Sequence, residues 1–126
     1  MKQSLLVLVA LLFVSGCGPS YYIHKTVAEY DQVKSQVKLG NTKEQVVSIL
    51  EPTQIHLRDK SWKKRADRFI HDNVLVEILY FRSGLQSDGL TTDDEFTPYI
   101  FYDGILKGIG WEMISGDFRK IIGFEG

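Results

Sequence analysis

An unbroken apolar run, Leu5 to Val14, opens the chain and stops three residues short of its only cysteine, Cys17. Ten residues are too few to cross a bilayer, which takes about 20. They suit the apolar region of a secretory signal, typically about 7–15 residues long. Met1-Lys2 supplies a positive start, and Ser15-Gly16 supplies small residues just before the thiol. Reading residues 1–16 as a signal peptide leaves about 110 of the 126 residues, enough for one modest core. With a single cysteine there is no intramolecular disulfide and no cysteine-based zinc site. The mature chain must hold itself together by packing and hydrogen bonds.

Val14-Ser15-Gly16-Cys17 resembles the bacterial lipobox. The resemblance implies a diacylglycerol thioether on Cys17, cleavage before it, and acylation of the new amine. Each buried methylene adds about 0.8 kcal/mol and one chain binds only marginally, so about three chains make a lasting anchor. Gly18 is not the aspartate that retains such proteins in the inner membrane. The expected location is the outer membrane, lipid-anchored and facing the periplasm. Residues 17–25 are expected to form a lipidated tether. In it, Tyr21 and Tyr22 either sit among headgroups, as aromatic belts do, or belong to a partly ordered linker.

Charge narrows the function. Fifteen basic and sixteen acidic residues give −1; without Lys2 the mature chain carries −2. A nucleic-acid binder would be strongly basic. Hydrophobic residues at 44% and charged residues at 25% are ordinary for a globular domain.

Residues 26–126 read as helices first and strands afterwards. Val27, Tyr30, Val33 and Val37 recur at helical spacing. Leu39-Gly40-Asn41 breaks the pattern, Gly40 suiting a left-handed cap. Thr42 and Gln45 fit a capping box, and Val46, Val47, Ile49 and Leu50 form the next apolar face, with Pro52 expected to end the helix. Thr53 to Leu57 is a candidate edge strand. Ala66 to His71 leads through Asp72-Asn73, a two-residue turn, into Val74–Phe81, the strongest strand. There Val74, Val76, Ile78 and Tyr80 share a face, and Glu77 marks the other as wetter. Pro98–Tyr102 is followed by the hairpin signal Asp103-Gly104, and the chain returns over Ile105 to Met113. Gly108 and Gly110 are expected where another backbone comes close. The fold class is α+β: two short helices packed on a three- to four-stranded antiparallel sheet.

Leu39 to Val46, followed by Ile49-Leu50-Glu51-Pro52-Thr53, resembles the opening of the SmpA/OmlA/BamE-like lipoproteins. The aromatic strands with the Asp103-Gly104 turn, and the stretch Ser87 to Pro98, fit the later part of that pattern. The resemblance covers residues 36–113. It departs at Asn41, where the family carries an apolar residue, and at Glu51, where it carries glycine. It implies two helices on a three-stranded antiparallel sheet, an arrangement shared with the repeats of the β-lactamase inhibitor protein. It also implies a non-catalytic accessory role in outer-membrane assembly or maintenance, with envelope proteins as partners and anionic lipids as a reasonable further partner.

Two charged segments are the candidate sites. Asp88, Thr91, Thr92, Asp93, Asp94 and Glu95 form an acidic loop, either a self-satisfied polar turn or a partner-docking loop. Their order lacks the D-x-D-x-D-G of an EF-hand, so a calcium site is not expected. Arg58, Lys60, Lys63, Lys64, Arg65 and Arg68 face only Asp59 and Asp67, a local +4 that leaves −6 on the rest of the mature chain. With Trp62 they are a candidate headgroup patch or a solvated edge. His24, His56 and His71 show no metal-ligand spacing, and G-x-S-x-G, P-loop and G-x-G-x-x-G motifs are absent. No enzyme activity, metal or cofactor is expected. The leading expectation is an envelope interaction protein; the alternatives are an anionic-lipid module and an inhibitor of a periplasmic enzyme.

Overall fold

The computed structural model describes residues 19–85 and 91–114. Helix α1 (Pro19–Val33) and helix α2 (Lys43–Gln54) precede four strands, β1 (Asp67–His71), β2 (Val74–Arg82), β3 (Phe96–Tyr102) and β4 (Ile105–Ile109). The strands form one antiparallel meander in the order β1-β2-β3-β4. Single 3₁₀ turns occur at Lys34–Gln36, Lys60–Trp62, Asp93–Glu95 and Trp111–Met113. The α+β class holds, with helices against a four-stranded sheet. Among the described residues no helix is long and apolar enough to cross a membrane.

Alternation along the strands builds two apolar layers. Leu79 and Phe81 of β2, Tyr99 and Phe101 of β3, and Leu106 of β4 pack against Tyr30, Val37, Val46 and Leu50 from the helical half. Val76, Ile78 and Tyr80 point the other way and pack with Phe96, Ile100 and Ile114. Glu77 shares the helix-side face, which is therefore not the wetter one. Only 6% of Glu77 is exposed, and its carboxylate takes Lys43 Nζ at 2.7 Å and Arg68 Nε at 2.8 Å. Burial of a carboxylate is tolerated there because two cations meet it.

α1 begins earlier than the apolar spacing suggested. Pro19 suits a first helical position, where its missing N–H costs nothing. The buried stripe is Ile23, Thr26 and Tyr30. Thr26, polar yet buried, hides the period from a purely apolar reading. Of the residues expected as a lipidated tether, 17–25, those from 19 onward are helical, and 17–18 lie outside the described residues.

α2 carries the expected capping box: the Gln45 amide donates to Thr42 Oγ1 at 3.2 Å and the Thr42 amide to Gln45 Oε1 at 2.8 Å. Pro52 lies inside this helix instead of ending it. The carbonyl that loses its donor belongs to Ser48, which is exposed, so water can replace the missing bond. The helix then runs to Gln54, and the edge strand expected over Thr53–Leu57 does not form.

Both tight turns are as expected. Asp72 and Asn73 have φ of 51° and 64°, and Asp103 and Gly104 have 49° and 81°, the left-handed pairs of type I′ hairpins. Opposite the Ile100–Phe101 step β4 carries one extra residue, Lys107, a bulge that shifts the register so that Leu106 and Ile109, three residues apart, both reach the helix-side core. β4 ends at Ile109 and the chain turns at Gly110, φ 102°, into the Trp111–Met113 turn. A Cβ on Gly108 would meet the Met113 side chain at 3.2 Å; the close neighbour is a side chain and not a backbone. The outer edge of β4 is covered by residues 40–43, through Gly40 N–H to Leu106 O at 2.9 Å, Leu106 N–H to Asn41 O at 2.8 Å, and Lys43 N–H to Gly104 O at 2.8 Å.

Candidate functional site

The two charged segments meet. Arg82, at the end of β2, is 1% exposed and its guanidinium pairs with Glu95, which is 0% exposed. Arg82 Nη1 also donates to the Trp62 carbonyl at 3.0 Å and to Thr91 Oγ1 at 3.4 Å, and Nε to the Gly84 carbonyl at 3.3 Å. The other Glu95 oxygen accepts from the Thr92 amide at 3.0 Å. One buried cation thus ties the acidic loop on one side and the basic segment on the other to the end of the sheet. Neither end of the pair is solvated, so each charge depends on the other.

The acidic loop is accordingly split in role. Glu95 is locked in the core and is not a docking residue. Thr91, Thr92 and Asp94 are exposed, and Asp93 is half-buried and pairs with Lys64 at 3.0 Å. The Thr92 hydroxyl lies against the Asp94 carboxylate. Asp88 lies outside the described residues. Among those described, no group of three or more His, Cys, Asp or Glu could hold a metal ion.

The basic segment is also divided. Arg58 sits over the Tyr22 ring, 4.9 Å from its centroid, joining this segment to the first turns of α1. Trp62 is half-buried and gives its carbonyl to Arg82. Lys64 meets Asp93 and lies 4.7 Å from the centroid of the Tyr80 ring. Arg68 is spent on Glu77, its cross-strand neighbour. Lys60, Lys63 and Arg65 remain exposed, without an ion pair among the described residues. With Lys64 they line a cleft of about 570 Å³. The notion of one continuous headgroup patch over Arg58 to Arg68 contracts to these residues.

Further polar pairs fix the frame. The Tyr30 and Tyr99 hydroxyls meet at 2.6 Å in the core, joining α1 to β3, and burial with that bond pushes the Tyr99 phenol well above its ordinary value. Burial, then the Asp67 carboxylate accepting at 2.6 Å, does the same to Tyr80. Lys43, bonded to Glu77, holds that carboxyl below the usual carboxylate range despite its burial. His56 bonds Glu29, linking the segment after α2 to α1.

Sequence reasoning missed Gln54. Its side-chain amide accepts from the Arg82 N–H at 2.8 Å and donates to the Arg82 carbonyl at 3.1 Å. It thereby imitates a neighbouring strand at one residue of the β2 edge. Its one signal in sequence is a glutamine four residues after the apolar i, i+4 pair Val46 and Leu50, too common to notice. No protein-family model matches the chain, and no curated protein or solved structure is significantly similar to it.

Proposed function

We propose that this chain is a non-catalytic lipoprotein of the bacterial envelope, anchored through Cys17 to the outer membrane, which works by docking onto envelope proteins on the periplasmic side. The observation that supports it is how the anchored end joins the domain. α1 starts two residues after Cys17, and Ile23, Thr26 and Tyr30 are buried. Lipid on Cys17 would therefore keep the folded domain close to the membrane surface. The two-helix, antiparallel-sheet arrangement adds likeness to the SmpA/OmlA/BamE-like lipoproteins and to the repeats of the β-lactamase inhibitor protein. An accessory role in outer-membrane assembly or maintenance follows by analogy of fold and motif.

A second reading, capture of anionic headgroups, draws on the Arg58–Tyr22 contact. That contact sets the start of the basic segment beside the anchored end of α1, and Lys60 follows two residues later. Each basic group near an anionic surface is worth about 1 kcal/mol.

The test has two arms. Cells fed labelled palmitate should yield a labelled chain, and Cys17→Ser should release it from membranes; absence of label ends the lipoprotein reading. Affinity capture from solubilised membranes then separates the mechanisms. A stoichiometric protein partner supports docking. Lipid alone, with vesicle binding abolished by K60E/K63E/R65E, supports headgroup capture instead.

A further inference from the structure

β1 and β2 do not match in length. β1 begins at Asp67, opposite Ile78, while β2 runs on to Arg82. Residues 79–82 therefore have no strand on that side. The Gln54 bonds show that the Arg82 backbone faces outward there, away from β3. Backbone direction repeats every second residue along a strand, so the Tyr80 N–H and C=O face outward too. Its partner across β3 is Pro98, whose own carbonyl is bonded the other way, to Gly110 N–H at 2.9 Å. Among the described residues nothing pairs with the outward Tyr80 groups. They open onto a slot of about 270 Å³.

The slot has a consistent chemistry. Val47 of α2 and Leu79 and Phe81 of β2 make its apolar lining, and Ala66 lines it where the chain swings away before β1. Lys43, Lys63 and Lys64 also line it, against Glu51 alone. Lys43 and Lys64 are already engaged, with Glu77 and Asp93; Lys63 is not, among the described residues. The volume is below the roughly 300–1,000 Å³ of pockets that enclose small molecules.

We propose that this slot is a strand-addition site for an extended acidic peptide segment of a partner protein. One residue of that segment exchanges two backbone hydrogen bonds with Tyr80, an apolar neighbour fills the space beside Val47 and Phe81, and a carboxylate meets Lys63. Strand addition takes its affinity from main-chain bonds and its selectivity from alternate side chains. The slot shares Lys63 and Lys64 with the basic cleft, but the outward Tyr80 backbone belongs to the slot alone and does not depend on lipid at Cys17, so the Tyr80 readout stands or falls separately from the function proposed above.

The test uses the full natural chain in detergent micelles and three blocked seven-residue peptides, alternating valine with aspartate, with threonine, or with lysine. Amide NMR should show the Tyr80 resonance shifting with the aspartate peptide and its hydrogen exchange slowing at least tenfold. The lysine peptide should bind at least tenfold more weakly, and Lys63→Glu should reverse that preference. N-methylation of the peptide amide that faces Tyr80 should abolish binding, whereas N-methylation one residue away should not. Equal loss from both methylations, or no shift at Tyr80 with any of the three peptides, overturns the proposal. A Tyr80 shift produced by anionic vesicles and not by the peptides overturns it in favour of a lipid occupant.

Discussion

Glu95→Ala tests whether the buried ion pair is what locks the two charged segments to the sheet. The substitution removes one partner and leaves Arg82, 1% exposed, without its counter-charge. An exposed ion pair is worth only about 0–1 kcal/mol. Breaking a buried one by removing a single partner costs about 3–5 kcal/mol. Against a typical total stability of about 5–15 kcal/mol, that is a large share. With an m-value of about 1.5 kcal/mol/M, the urea midpoint should fall by roughly 2–3 M. Tryptophan fluorescence is a suitable readout, because the Trp62 carbonyl accepts from Arg82 and Trp111 Nε1 donates to the Phe96 carbonyl at 2.9 Å, next to Glu95. Removing both charges, as Arg82→Met with Glu95→Leu, should recover at least about half of the loss, since no uncompensated charge remains. Recovery is incomplete because the Trp62 and Gly84 carbonyls lose their donor. A loss under about 1 kcal/mol for Glu95→Ala, the range of an exposed pair, would refute the reasoning.

Glu77 makes acid stability a second readout. Its folded-state pKa lies below the ordinary 4.5, so below that value the unfolded chain takes up the proton first and stability falls with pH. Glu77→Gln should flatten the decline of the urea midpoint below about pH 4.5; parallel declines in the two proteins would contradict it. Tyr30→Phe should cost about 1–3 kcal/mol, because the buried Tyr99 hydroxyl loses its partner at 2.6 Å. Thermal denaturation of Tyr30→Phe beside Tyr30→Phe/Tyr99→Phe checks this, the double variant being expected to lose less than two independent losses would sum to.

Much of the fold was legible because local chemistry and global packing agree. The Thr42–Gln45 cap, the Asp72-Asn73 and Asp103-Gly104 turns and the apolar alternation of Val74–Phe81 each state their structure within a few residues. What was illegible depends on partners far away in sequence. Glu77 reads as a wet-face residue until Lys43 and Arg68 arrive beside it. Thr26 conceals the start of α1 because nothing in the sequence marks a threonine whose hydroxyl is buried without a hydrogen-bond partner among the described residues. The two charged segments were visible as candidates. Their meeting through Arg82 was not, since an arginine in an apolar strand carries no mark of the glutamate thirteen residues on.

Gln54 has a consequence for how the sheet meets its surroundings. A strand neighbour is removed only by unfolding, but an amide on a helix can swing aside by rotation about its own side-chain bonds. The sheet's width at this corner is therefore set by one rotamer. Withdrawn, it would uncover a second hydrogen-bonding rung at Arg82 next to the one at Tyr80, doubling the length of backbone on offer. A single glutamine, itself only 4% exposed, thus acts as the latch on this corner of the sheet, and its replacement by a shorter residue would leave the Arg82 N–H and C=O without partners.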